Sequence, residues 1–146
     1  METTTVTDAA LALAAAGFRV FPLRPLSKEP AIKRWQIEAA ADPIAVEMMF
    51  DKPHLGLGLA CGPQPNGLNV VAIDIDPRHD GWDSWAALVT AHDAQFPNAV
   101  IHRTPNGGAH VFFNAPRDLR NSRSKLGPGI DSRAAGGYVV LPPSRL

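Results

Sequence analysis

Apolar and polar positions alternate along this chain in short blocks, each closed by glycine, proline or an acid. The Ala/Leu-rich run that ends at Gly17 reads as a helix, with Thr7 or Asp8 able to cap it. Phe18-Arg19-Val20-Phe21-Pro22-Leu23 follows as a short strand. Past a loop carrying Lys28, Pro30, Lys33 and Trp35, Asp42-Pro43 supplies an N-cap and a first-turn proline for a helix to about Phe50. Leu55 to Ala60 is a strand whose glycines permit close backbone approach. Gly56-x-Gly58 is not a dinucleotide fingerprint, because no third glycine opens a helix and Pro63, Pro65 and Gly67 make a turn instead.

The second half carries the stronger patterns. Leu68 to Asp76 is an apolar strand that passes through a loop over Pro77 to Gly81 into a helix from Trp82 to about Gln95, a β-α-β passage. Trp82 and Trp85, three apart on that helix, are expected in the core. Ala99 to Thr104 and Ala109 to Asn114 flank Pro105-Asn106-Gly107-Gly108, a hairpin signal. A four-residue loop there pairs Thr104 with Ala109 and sets Arg103 opposite His110, so that both can hold a phosphate. A second hairpin is expected where Gly129 to Arg133 turns through Ala134 to Gly137 into Tyr138 to Leu141. The strands and helices alternate without repeat, linker or visible boundary, so the expected fold is one α/β domain.

Composition narrows the classes. A chain of 146 residues can bury roughly two-thirds of its unfolded surface in one core. The single cysteine, Cys61, excludes an intrachain disulfide and a multi-cysteine metal site, suits a reducing cytoplasm, and reads as a small buried hydrophobe. His54, His79, His92 and His102 lack zinc spacing. The N-terminal run carries Glu2 and Asp8 without a basic leader, which fits a soluble helix rather than a signal or membrane span. Net charge is zero but unevenly spread. Residues 1–100 hold 7 Lys/Arg against 12 acids, and residues 101–146 hold 7 against 2. The basic part includes Arg117, Arg120, Arg123 and Lys125; it is either solvated surface or the face that meets a polyanion, and it lacks interleaved aromatics for base stacking.

The most informative chemistry is Asp74-Ile75-Asp76 at the end of the apolar run. A strand sends alternate side chains to opposite faces, so Ile73 and Ile75 can face packed layers while both carboxylates share the other face. Two carboxylates this close repel without a cation, so the pair is a platform for a divalent metal. The alternative is that the strand simply ends there and its acids are solvated. Asp131 is a third acid on a strand.

Four ordered stretches resemble one family: Asp74 to His79, Arg103 to His110, Leu126 to Arg133, and Gly136 to Ser144. Together they are similar to the bifunctional DNA primase/polymerase (prim-pol) domain of the archaeo-eukaryotic primase superfamily, found in plasmid, phage and mobile-element replication proteins. The likeness spans nearly the whole chain, including the Ala10-to-Leu23 helix-strand and the Lys28-x-Pro30…Trp35 loop. It implies an RRM-like fold with a mixed, mostly antiparallel central sheet and flanking helices. It also implies metal-dependent, template-directed nucleotidyl transfer. Asp74, Asp76 and Asp131 match the catalytic acids, holding two Mg²⁺ or Mn²⁺ ions, and are expected to converge. His110 matches the histidine that binds the incoming triphosphate, with Arg103 as its proposed neighbour. Asn106 stands where many members have Ser before the two glycines, a change a positive-φ turn tolerates. Single-stranded DNA and nucleoside triphosphates are the implied partners, with the Arg117, Arg120, Arg123 and Lys125 cluster on the DNA and no membrane. Members usually continue through further strands and often into a replicative helicase, so residues 1–146 are expected to be a catalytic domain truncated at its C-terminal end. A metal-dependent nuclease and a non-catalytic nucleic-acid-binding module are the other classes compatible with these residues.

Overall fold

The structure, a computed structural model, describes residues 4–92, 100–116 and 119–146. Its first helix, α1 (Val6–Ala15), is capped by Thr5 rather than by Thr7 or Asp8. The Asp8 N–H donates to Thr5 Oγ1 at 3.0 Å and the Thr5 N–H donates to the Asp8 carboxylate at 3.5 Å. This is a reciprocal capping box, so the acid expected at the cap acts from the third helical position instead. Strand β1 (Val20–Leu23), the short α2 (Trp35–Glu38) and α3 (Pro43–Met49) follow, with Asp42 and Pro43 starting α3 as the residues predict. Next come β2 (Gly56–Ala60), β3 (Gly62–Pro63) and β4 (Asn69–Ile75). A 3₁₀ turn over Pro77–His79 leads into α4 (Gly81–His92), and the expected end of that helix near Gln95 lies outside the described residues. Strands β5 (Val100–Arg103), β6 (Ala109–Asn114), β7 (Ser122–Arg123), β8 (Ile130–Arg133) and β9 (Tyr138–Leu141) complete the chain, the expected strand start at Ala99 also lying outside them.

The strands form two sheets, one ordered β1-β2-β9 and a larger one ordered β5-β6-β4-β8-β7, with β3 also pairing β4. Every ladder among the described residues is antiparallel, and helices flank the sheets, so the α/β class with a mostly antiparallel sheet holds. Strands β8 and β9 do not form the expected hairpin. A turn closed by the Gly137 N–H donating to the Ala134 carbonyl at 2.8 Å sends the chain from one sheet to the other. The two strands serve different cores: Val139 and Leu141 pack with Leu57, Leu59, α1 and α3, whereas Ile130 packs with Ile75, Ala109 and Val111. Burial outweighs local hairpin pairing here.

Strands β1 and β2 of the smaller sheet are buried on both faces; the Phe21 ring lies over Gly58, where a Cβ would come within 2.6 Å of it. Cys61 is buried as expected, and burial pushes its thiol up to about 12. Trp85 packs on the Ile75 cluster, but Trp82 is exposed and donates its indole N–H to the Gly107 carbonyl at 2.9 Å, tying α4 to the β5–β6 turn. No helix among the described residues is long and apolar enough to cross a membrane.

Candidate active site

Strand β4 is the axis of the site. Ile75 is buried and Ile73 packs beside it, while Asp74 and Asp76 occupy the other face, the alternation a strand imposes. Register across the larger sheet then fixes the neighbours. His102 lies opposite His110, His110 opposite Asp74, Asp74 opposite Asp131, and Asp131 opposite Arg123. Directly opposed residues share a face with Cβ atoms about 4.5–5.5 Å apart. One row therefore crosses five strands: His102, His110, Asp74, Asp131, Arg123.

Glycines make this convergence possible. A Cβ on Gly108 would run into the Ile75 carbonyl, and one on Gly129 (φ +75°) would meet the Asp76 carbonyl at 2.8 Å and the Gly81 N–H at 2.7 Å. Strands β6 and β8 thus begin in contact with the backbone that carries the acids. The Asp76 N–H donates to the Gly129 carbonyl at 2.8 Å, pinning the third acidic strand to the first two acids.

The register corrects one expectation. Arg103 pairs with Ala109, not His110. The hairpin loop is three residues long: the Gly107 N–H donates to the Thr104 carbonyl at 3.1 Å, and the Thr104 N–H donates to the Gly108 carbonyl at 3.0 Å. Pro105 and Asn106 form the turn, and Gly107, at φ +85°, adds the left-handed residue that closes such loops. The one-residue shift moves every β5 side chain to the opposite face. Arg103 joins the row of Ala109, Ile75 and Ile130, exposed on the edge strand but still bordering the cleft, and His102 takes the place beside His110. The turn sequence Thr-Pro-Asn-Gly carried that signal.

Each carboxylate has its own partner. His110 Nε2 lies 3.5 Å from Asp74 Oδ1. Burial pushes the His110 imidazole below its usual pKa, against the opposing pull of Asp74. Asp76 leaves the strand and caps the 3₁₀ turn, accepting from the Arg78 N–H at 2.9 Å and from its guanidinium at 3.1 Å twice. That bidentate hydrogen bond holds its carboxyl below the usual range. Asp131 accepts from the Ser124 N–H at 3.0 Å and lies 3.5 Å from the Arg133 guanidinium. Arg133, two residues from Asp131 on the same face, escaped the sequence reading although strand alternation points to it.

Carboxylate oxygens are the donors that hard divalent cations such as Mg²⁺ and Mn²⁺ take. Asp74 and Asp131 are opposed across adjacent strands. Asp76 is on the same face but turned to Arg78, and among the described residues no three His, Cys, Asp or Glu side chains are gathered closely enough to hold an ion as they stand. The donor chemistry fits; completing the set requires Asp76 to exchange Arg78 for the ion.

His102, His110 and Asp74 of the row, with Asp76, border a cleft of about 860 Å³ between the two sheets. Lys28, Arg78 and Arg133 give it positive charge beside the acids, and Trp35 and Tyr138 from the smaller sheet's side line the opposite wall. The Tyr138 hydroxyl donates to the Lys28 carbonyl at 2.7 Å, and its ring meets Trp35 edge-on at 4.9 Å, so the wall is fixed. Of the basic cluster, Arg120, Arg123 and Lys125 are exposed at the β7 end of the row, and Arg117 lies outside the described residues.

Among curated proteins none matches the chain. The sequence model of one family matches residues 10–146, essentially its whole length and all of the strands that build the acidic row. That family brings primase/polymerase-type function and, in general terms, DNA and nucleotides as substrates: the chain belongs to the bifunctional DNA primase/polymerase, N-terminal family.

Proposed function

We propose that the cleft performs metal-dependent, template-directed nucleotidyl transfer from nucleoside triphosphates on single-stranded DNA, in the replication of a plasmid, phage or mobile element. The observation that supports this most is the row His110–Asp74–Asp131, held in register by three adjacent strands, with His110 and Asp74 lining a cleft that also carries Lys28 and Arg133. Asp74, Asp76 and Asp131 would hold two Mg²⁺ or Mn²⁺ ions, which when bound supply activation of the primer hydroxyl and charge neutralisation at the reacting phosphate. Arg78 releases Asp76 in that state and is left free beside the phosphates. His110 binds the triphosphate from within the sheet. Arg133, forked and on the acid face, suits phosphate oxygens, and Arg103 reaches them from the cleft's edge. Arg120, Arg123 and Lys125, with Arg117, hold the DNA backbone at the β7 end, where charge rather than base contact sets affinity.

The test is primer synthesis and extension from labelled nucleotides on single-stranded DNA, with Mg²⁺ or Mn²⁺ and with a chelator. Template-dependent product that requires the ion and is lost in Asp74→Asn supports the proposal. Cleavage of the DNA without synthesis would instead indicate a nuclease. DNA binding indifferent to the ion, with no synthesis, would indicate a non-catalytic binding module.

A further inference from the structure

We infer that His102 is a nucleotide-binding residue that contacts the terminal phosphate of a triphosphate, an inference that rests on the function proposed above. Its position comes from the three-residue hairpin loop, which sets it opposite His110 at the end of the row. His110 is already directed at Asp74, with Nε2 at 3.5 Å. The imidazole of His102 makes no hydrogen bond with any described residue. Its Nδ1 is the one buried side-chain nitrogen or oxygen atom among the described residues that has no partner.

That orphaned atom fixes the chemistry of the ring. A buried N–H without an acceptor is the rarer and costlier state, so Nδ1 is the bare nitrogen and the proton sits on Nε2. The His102 ring packs against Phe112, with centroids 5.1 Å apart at 62°, and it lines the cleft. With Nδ1 on its buried edge, the edge left to face the cleft carries the Nε2–H. Burial also holds the imidazole below its usual pKa, so near neutral pH it is an uncharged, pre-oriented donor with nothing to donate to.

The order of the row gives the direction of the ligand. Its β7 end carries Arg123 and the exposed basic cluster; its middle carries the acids; its β5 end carries the two histidines. With the DNA backbone at the basic end and the reacting phosphate at the acids, the rest of the triphosphate extends over His110 toward His102. His102 stands two strand spacings from Asp74, roughly 10 Å along the sheet. It therefore meets the phosphate that a diphosphate lacks.

The experiment is calorimetric titration of the protein with dATP and with dADP in the presence of Mg²⁺, alongside circular dichroism to check the fold. Three substitutions separate the donor from the ring. His102→Phe keeps the packing on Phe112 and removes the donor. His102→Gln returns an N–H near the Nε2 position, and His102→Asn places it near Nδ1. A hydrogen bond to a charged phosphate predicts that His102→Phe and His102→Asn weaken dATP binding by about tenfold or more, with dADP binding changed less than about twofold. His102→Gln should recover most of the difference. Equal losses for dATP and dADP, or wild-type dATP affinity in His102→Phe, would overturn the inference and leave the proposed function standing. Wild-type protein that binds both nucleotides equally overturns it too. Wild-type protein that binds neither nucleotide overturns both readings. Should His102→Phe fail to fold, the Gln–Asn comparison decides in the same way.

Discussion

The two faces of β4 alternate along a seven-residue strand and behave as different materials. On one, Ile73 and Ile75 pack with Ala109, Val111, Ile130 and Trp85 beneath α4. On the other, Val70 and Ala72 begin in the core shared with the smaller sheet, and the same face then opens at Asp74 and Asp76 onto the cleft. Along β4, charge is thus confined to the end of one face. Burying those acids on the α4 side would cost several kcal/mol per unpaired ion, whereas at the cleft they retain water and basic partners. Side-chain alternation lets a rigid apolar layer position a polar one a few ångströms away. Substitutions on the two faces should therefore separate activity from stability.

The largest effect is expected at the centre of the acidic row. Asp74→Asn should lower nucleotide incorporation by about a thousandfold or more, since it removes several kcal/mol of charge stabilisation from the reacting phosphate. Its melting temperature without metal should be unchanged or higher, because a carboxylate opposite Asp131 has been neutralised. Near wild-type incorporation, or a collapse of stability, would contradict the division between the faces. Ile75→Ala is the converse. Ile75 is 1% exposed, so truncation should cost about 2–5 kcal/mol in urea denaturation. Incorporation per folded molecule should fall only a few-fold.

Gly129→Ala tests the joint between the faces. At φ +75°, with a Cβ 2.7–2.8 Å from three backbone atoms around Asp76, alanine meets both backbone strain and a clash. About 2–3 kcal/mol of stability should be lost, and because Gly129 holds the Asp76 N–H, incorporation per folded molecule should fall as well. Loss of stability alone would mean that the acids are positioned without this contact.

These particular residues show what was legible in the sequence. The Asp-x-Asp strand, the Asp42-Pro43 helix start, the buried Cys61 and a hairpin through Asn106-Gly107 follow from local periodicity and turn chemistry, and they appear in the fold. The place of Asp131 beside Asp74 followed only from family resemblance, because strand pairing between residues 57 positions apart leaves no local trace. The β8–β9 hairpin failed because a favourable turn can equally pass a chain between sheets, and burial of Val139 and Leu141 decided which. The Arg103 register failed by one residue, since loop length was read without the left-handed Gly107. A one-residue slip exchanges faces completely, which is why it hid His102.

The basic end of the row gives a smaller effect. Replacing Arg120 and Arg123 with Ala should weaken single-stranded DNA binding at low salt and make the slope of log K against log salt shallower by about 1.4, two contacts at about 0.7 each. dATP affinity should be unaffected. A slope equal to wild type would make these residues a solvated surface, and the row would then have no DNA end.

The smallest effect concerns the histidine end, where stability should depend on pH. Burial lowers the His102 pKa below its ordinary 6.5, so the unfolded chain binds a proton at higher pH than the folded protein does. Between the folded value and 6.5 the unfolded state holds more protons, and stability rises with pH. The contribution is fully present above about 6.5 and is lost as pH falls through that value toward the folded pKa. Melting temperatures followed from pH 8 to pH 5 should decline through this window, and His102→Gln, which cannot titrate, should show a shallower decline. The remaining slope belongs partly to His110, which burial shifts in the same direction. Asp76 contributes at lower pH: its carboxyl, held below its usual range by Arg78, loses its stabilising effect only as pH falls below about 4. Arg78→Ala should therefore alter the curve only below about pH 4 and leave the histidine window unchanged. If His102→Gln keeps the full wild-type decline, the His102 ring is not desolvated in the folded protein, and the buried edge that orients its donor toward the cleft is absent.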